Sequence, residues 1–329
     1  MVHRKWKGEA IHSLRQPNYS PQKLQLIHTG VLSGLSVLIS VIGLVLSIVS
    51  SKMGTGLQDM GKRNLVDTVQ LMLPLLLLIV QPFWNVGLQN AAIEYADQKR
   101  VKPKSLLGGF PRWKPILTSS LMIGLLYMAR VYIAGFLASQ VISFTPFAKT
   151  VLNASNQLME NPEADLFALL GDQAVPFLVT FGSVFFAIFV AMALPLYYRN
   201  RFVNYILLEN PGMGGLKAMF ISRAMTHGRR KTLFKLDLSF WWFYALETLA
   251  TAVCYGDIIL QALNVPLPMS ETVASWAFLV LGLGLQLLVH CLAKPYLEVS
   301  WVKAYRGCAV PQIIPQFFRQ NFVDADQDV

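Results

Sequence analysis

The stretch RNRFVNYILLENPGMGGLKAMFISRAMTHGRRKTLFKLDLSFWW, Arg199 to Trp242, begins where one long apolar run ends and finishes inside the next. From Arg199 to Lys235 it carries eight Lys or Arg residues against one acid, Glu209. Loops rich in Lys and Arg stay on the cytoplasmic side of a bilayer, so this segment sets the orientation of the chain. Its middle reads as a helix. Asn210-Pro211 is a start signal, Met213, Leu216, Met219 and Phe220 recur at helical spacing, and Gly228 before Arg229-Arg230-Lys231 is a stop signal. Apolar residues on one face, with Lys217 and Arg223 off it, predict an amphipathic helix lying on the membrane surface. Lys217, Arg223, Arg229, Arg230 and Lys231 are therefore the candidate contacts to anionic headgroups or to a partner protein.

The composition outside this stretch agrees with a membrane setting. Of 329 residues 54% are hydrophobic and only 14% charged, with a mean hydropathy of +0.47; a soluble domain carries about 25% charged residues. The net charge of +10 sits beside apolar runs and forms no separate basic domain. That pattern argues for orientation and attraction to anionic lipid, not for nucleic acid. Cys254, Cys291 and Cys308 have no C-x-x-C spacing, so neither a disulfide framework nor a zinc site is expected.

Six apolar runs predict transmembrane helices: about Leu26–Val49, Leu65–Val86, Pro115–Ile142, Ala174–Tyr198, Leu233–Tyr255 and Thr272–Ala293. The first is too long for the apolar region of a signal peptide. Basic loops alternate with acidic ones. Asn85–Lys114 and the opening stretch are basic, whereas Ser143–Gln173 is acidic and long enough for an amphipathic helix. Lys52, Lys62 and Arg63 are the exception. The pattern predicts an all-α polytopic membrane protein: six transmembrane helices as three hairpins, interfacial amphipathic helices and both termini in the cytoplasm. Residues 1–25 read as a basic cytoplasmic segment, 26–309 as the transmembrane domain and 310–329 as a flexible tail.

Several patterns lie within the spans. Ser33, Ser36, Ser40, Gly43, Ser47 and Ser50 form a small-residue stripe on helix one, suited to close helix packing, with a polar path or a dimer seam as alternatives. Pro74 and Pro82 should disturb helix two. Pro82-Phe83-Trp84, Pro195-Leu196-Tyr197-Tyr198 and Pro295-Tyr296 end the even helices alike, each with a partly basic continuation, a faint sign of three related hairpins. Arg130 and Glu247 lie about 21–23 Å from the cytoplasmic ends of helices three and five at 1.5 Å per residue, so equal depth and opposite charge make them a candidate pair. Such residues are costly in a membrane and mark either a structural bridge or a transport site. Asp237, Gln286 and His290 form a second candidate cluster nearer the cytoplasmic end. The five histidines have no ligand spacing, and no hydrolase, metalloprotease or P-loop motif occurs, so no catalytic residue, metal or cofactor is expected. Gly212–Gly215 leads into a helix and could hold a lipid phosphate at its N-terminus, although turn chemistry explains it equally.

Asn204-Tyr205-Ile206-Leu207-Leu208-Glu209-Asn210-Pro211, Ala218, Ser222-Arg223, Met225, Gly228, Lys231, Phe234 and Leu236-Asp237-Leu238-Ser239-Phe240 together resemble the signature of an uncharacterised bacterial family, domain of unknown function 975. Pro295-Tyr296 and Ala304-Tyr305 resemble its closing motif. The resemblance implies an integral membrane protein of the bacterial cytoplasmic membrane and brings no activity. Two functional readings lead: a membrane scaffold or accessory subunit engaging anionic lipid, a partner membrane protein or a second copy through its basic collar, and a small transporter or lipid-handling protein with an Arg130–Glu247 site. An intramembrane enzyme is the third, without a motif to support it.

Overall fold

The structure, a computed structural model, describes residues 2–15, 19–52, 57–161, 169–262 and 271–309. Among them the secondary structure is helical and contains no strand. The helices are α1 (Val2–Leu14), α2 (Pro21–Ser51), α3 (Leu57–Ala96), α4 (Trp113–Ser143), α5 (Phe147–Glu160), α6 (Ala174–Asn200), α7 (Val203–Glu209), α8 (Gly215–Thr226), α9 (Arg230–Leu238), α10 (Trp241–Cys254), α11 (Gly256–Ala262) and α12 (Glu271–Cys308). Two compact units result, one of residues Met1–Ser119 and Phe202–Val329, the other of Ser120–Arg201. The tail expected from Val310 onward lies outside the described residues.

In the first unit the long helices change character along their length. Across both units, four segments of the described residues are long and apolar enough to cross a membrane: Pro21–Ser50, Pro103–Ser143, Gly171–Glu209 and Val273–Cys308. At most 17% of their most apolar windows is buried in protein, and side chains such as Leu44 and Leu281, 61% and 63% exposed, face outward for lipid to cover. Beyond the apolar lengths the same helices enter a tightly packed core. The ends of α3 and α12 meet α1 and α7 there, with α8 packed on α7 and α9 on α1, and the core buries Ala91, Tyr95, Phe202, Tyr205, Leu233, Phe240, Trp301 and Tyr305. Phe202 and Tyr205 each lie 5.6 Å from the Tyr305 ring. Each fully buried large side chain contributes about 1.5–3 kcal/mol, so this basic collar is held together as a soluble domain is.

The collar revises four expectations. First, the apolar residues of α8 do not share one exposed face. Ala218, Met219, Ile221, Ser222 and Met225 are buried in the collar, and the expected stripe splits, Met219 going inside while Leu216 and Phe220 stay exposed. Second, residues 1–25 are more than an entry segment: α1 buries Trp6, Ala10 and Ser13, and a Cβ on Gly307 of α12 would meet the Trp6 indole nitrogen at 2.5 Å. Third, neither Pro82 nor Pro295 ends its helix, since α3 runs 40 residues and α12 runs 38. Membrane helices tolerate proline where neighbours satisfy the freed carbonyls. Fourth, the fifth apolar run is divided. The Ser239 hydroxyl donates to the Leu236 carbonyl at 2.6 Å, and Phe240, fully buried against Tyr296 at 5.2 Å, leaves helical geometry between α9 and α10. The remaining 14 residues of α10 rise about 21 Å, less than the ~30 Å of a hydrocarbon core.

Hydroxyl–carboxylate bonds pin two helix pairs near the opposite ends. Ser50 of α2 donates to Asp67 of α3 at 2.9 Å, and Ser275 of α12 donates to the buried Asp257 of α11.

In the second unit α5 is the helix expected in the acidic loop. Its Val151 and Ala154 pack with Leu169, Leu170, Ala174 and Phe177. Along α6, Phe177, Phe181, Phe185 and Phe189 stack at four-residue intervals, 5.9–6.3 Å apart.

Candidate functional site: a basic cleft in the collar

The loop Asn210–Gly214 turns through Gly212, whose φ of +91° favours glycine, into α8. At Gly215 no Cβ fits: it would lie 2.4 Å from the Pro115 carbonyl oxygen and 2.9 Å from the Ser119 nitrogen. The start of α8 is therefore set directly on the first turns of α4. Between them opens a cleft of about 720 Å³, lined by Arg112, Lys114 and Lys217 together with Asn210 and Gly212–Gly215. Lys114 and Lys217 are exposed, whereas Arg112 is half-buried and donates to the Leu207 carbonyl at 2.6 Å. First-turn amides of a helix have no acceptor within it and carry the positive end of its dipole. Three cations and those amides meet with no carboxylate among the lining residues, an arrangement that attracts a phosphate-like anion.

The other expected basic contacts divide. Arg223 and Lys231 are exposed. Arg229 serves the fold, donating to the Gly307 carbonyl at 2.7 Å, where a cation meets the negative end of the α12 dipole. Arg230 is half-buried. Two basic residues of the cleft, Arg112 and Lys114, come from another loop, and sequence reading had counted them only as orientation signals.

One arginine ties the collar together. Arg306, on α12, pairs with Asp97 just beyond the end of α3 and with Glu209 at the end of α7, the latter at 3.2 Å. Lys99 joins Asp97 at 3.0 Å, and Lys303 donates to the Ala96 carbonyl at 3.1 Å. The segments that follow the three proline–aromatic motifs thus meet at Arg306. Burial opposes ionisation of Asp97, but Arg306 and Lys99 outweigh it and hold the carboxyl below its usual range. A folded pKa below the unfolded one stabilises the fold above the unfolded value, about 3.9, and that contribution disappears as pH falls through the folded value. In Asp97→Asn, thermal stability in detergent should drop by about 1 kcal/mol at pH 7, a figure kept small for a partly exposed network. The gap to wild type should close as pH is lowered toward 3. A gap independent of pH would remove the ion pair from the explanation.

Within the apolar lengths, Glu247 of α10 and His290 of α12 are 3.1 Å apart. Arg130 donates to the carbonyls of Met192, at 3.1 Å, and Leu126, at 2.9 Å. The two residues expected to pair lie in different compact units, and within its own unit each has another partner. The Asp237–Gln286–His290 cluster is likewise distributed. Asp237 accepts the Tyr244 hydroxyl at 3.0 Å, His290 meets Glu247, and Gln286 faces a groove of about 730 Å³ between α2, α3 and α12. Ser33, Ser36 and Ser40 line the same groove with Gln81, so half of the small-residue stripe faces a space between helices and Ser50 bonds across to α3. Below the groove His28 is buried and stacks on Trp84, 5.8 Å away, whose indole donates to the His28 carbonyl at 2.9 Å. Among the described residues no group of three or more His, Cys, Asp or Glu is placed to hold a metal ion.

Long lipid-facing helices ending in a packed basic collar define an all-helical, membrane-embedded protein. The chain belongs to the family described as "Protein of unknown function (DUF975)", whose model matches residues 33–309. No curated protein and no solved structure matches the chain.

Proposed function

We propose that the protein is a membrane scaffold or accessory subunit of the bacterial cytoplasmic membrane, with its collar on the cytoplasmic side bound to anionic lipid headgroups. The observation that carries this reading is the Arg112–Lys114–Lys217 cleft, which gathers positive charge from the start of α4 and the first turn of α8. Each Lys or Arg near an anionic surface contributes about 1 kcal/mol. Replacing Lys114 and Lys217 together with Gln should therefore weaken retention of phosphatidylglycerol about tenfold or more, while zwitterionic lipid is retained unchanged. Native mass spectrometry after mild detergent extraction reads both. Equal retention of anionic lipid by the variant and the wild type would count against a lipid role. A partner membrane protein or a second copy, docking through the same basic surface, would then remain as co-purified mass lost in the variant.

The groove between α2, α3 and α12 favours a second reading, a lipid-handling protein or small transporter. Its Ser33, Ser36, Ser40, Gln81 and Gln286 offer hydrogen bonds at membrane depth, where isolated polar groups are costly. Six spans with both termini cytoplasmic are part of the proposal. The loop charges support them, and α10 would cross only together with flanking residues.

A further inference from the structure

We infer that one face of α10 and α11 is a binding site for a hydrophobic organic cation, with Glu247 as its counter-ion. This rests on neither reading above. Tyr244, Glu247, Thr251 and Tyr255 follow one another at spacings of three and four and, with Thr248, line a cavity of about 480 Å³, within the usual range for small-molecule sites of about 300–1,000 Å³. Elsewhere α10 presents Leu246 and Leu249, both exposed, as expected of a surface covered by lipid. A polar face carrying a carboxylate is a costly exception in that setting and calls for a counter-charge.

The hydrogen bonds decide the sign of the ligand. Thr248 spends its hydroxyl proton on the Tyr244 carbonyl at 2.8 Å, and Thr251 spends its own on the Glu247 carbonyl at 2.9 Å. Tyr244 donates to Asp237 at 3.0 Å. With those protons committed, these three hydroxyls offer the cavity lone pairs, and the hydroxyl of Tyr255 is the fourth in the lining. His290 engages Oε1 of Glu247, and 36% of the Glu247 side chain stays exposed. No Lys or Arg lines the cavity, and the Tyr244 and Tyr255 rings supply the negative π faces that attract cations. Acceptors, ring faces and one carboxylate suit an ammonium or phosphonium with apolar substituents and repel an anion. A single carboxylate is too few ligands for a hard metal ion, which takes about six oxygens.

The test uses the whole protein in zwitterionic nanodiscs and measures binding of tetraphenylphosphonium by equilibrium dialysis, with tetraphenylborate as the anion of the same shape. Tetraphenylphosphonium should bind saturably and the borate should not. Glu247→Gln should weaken the affinity about tenfold, and Tyr255→Leu severalfold. The Lys114→Gln/Lys217→Gln variant should bind as wild type does, which separates this site from the lipid-binding cleft. If Glu247→Gln does not fold, Tyr255→Leu decides, since its ring is 58% exposed and carries little of the packing. Absence of saturable binding, equal binding of the borate, or wild-type affinity in the folded Glu247→Gln or Tyr255→Leu variant would overturn the inference.

Discussion

Replacing Trp301 with alanine should destabilise the collar by about 3–5 kcal/mol, the range for removing a fully enclosed large aromatic side chain. Trp301 has 0% exposure and is the largest of the fully buried side chains. Its ring lies 6.2 Å from Phe202 in an edge-on contact, and Phe202 in turn packs on Tyr205 and Tyr305. The cavity left by alanine would therefore open in the middle of an aromatic cluster shared by α7 and α12. Trp301→Phe should lose less than half as much. Because the apolar lengths of the long helices are buried by lipid and not by this core, the variant should keep most of its helical circular dichroism. Limited proteolysis should instead appear between α7 and α10. Thermal unfolding in detergent measures the first effect, and a cost below about 1 kcal/mol would show that the collar is not packed as described.

Gly87→Ala should cost about 3 kcal/mol or more, at the upper end for overpacking, because the added Cβ has no rotamer and the atoms it strikes are the backbone of Leu106. A Cβ built on Gly87 falls 1.7 Å from the carbonyl oxygen of Leu106 and 2.5 Å from its carbonyl carbon. Leu106 belongs to the short 3-10 helix Pro103–Leu107, and the Asn90 amide reinforces that contact by donating to Ser105 at 3.2 Å. Opening the contact would displace the loop that carries Arg112 and Lys114, so anionic-lipid retention should fall along with stability. Gly34 supplies the contrast. No atom lies within 4 Å of a Cβ there, so Gly34→Ala should leave stability unchanged or raise it by about 0.5–1 kcal/mol through helix propensity. A Gly87→Ala variant as stable as Gly34→Ala would remove the close contact from the explanation.

These two residues show how far sequence reading reached. Apolar length, loop charge and the density of aromatic residues at helix ends are local properties, and they delivered a helical membrane protein with a basic surface. The collar core depends on distant partners. Arg306 meets Asp97 and Glu209 only once α3, α7 and α12 are folded together, and Gly87 is special only because Leu106 returns to it. The α8 helix misled for a related reason. Its apolar positions recur at helical spacing, but spacing does not say what covers each one, and here the collar covers Met219 while Leu216 and Phe220 stay exposed. Helix five read as continuous because hydropathy does not register the Ser239–Phe240 break, made by a hydroxyl–carbonyl bond and a ring docked on Tyr296. Glu247 meets His290 across α10 and α12, a partner that counting residues along one helix does not reveal. The four-residue phenylalanine spacing of α6 was visible in the sequence and could have been read as a stacked ladder.

The collar's role on the lipid surface is tested most directly by photocrosslinking in intact membranes. The probe is an anionic phospholipid carrying its reactive group beside the phosphate. Adducts should concentrate on peptides containing Lys114, Thr118 and Gly212–Lys217, and should be lost from them in Lys114→Gln/Lys217→Gln while the protein remains folded. Adducts spread evenly over the basic surface, or persisting at the cleft without its two lysines, would contradict a headgroup site between α4 and α8.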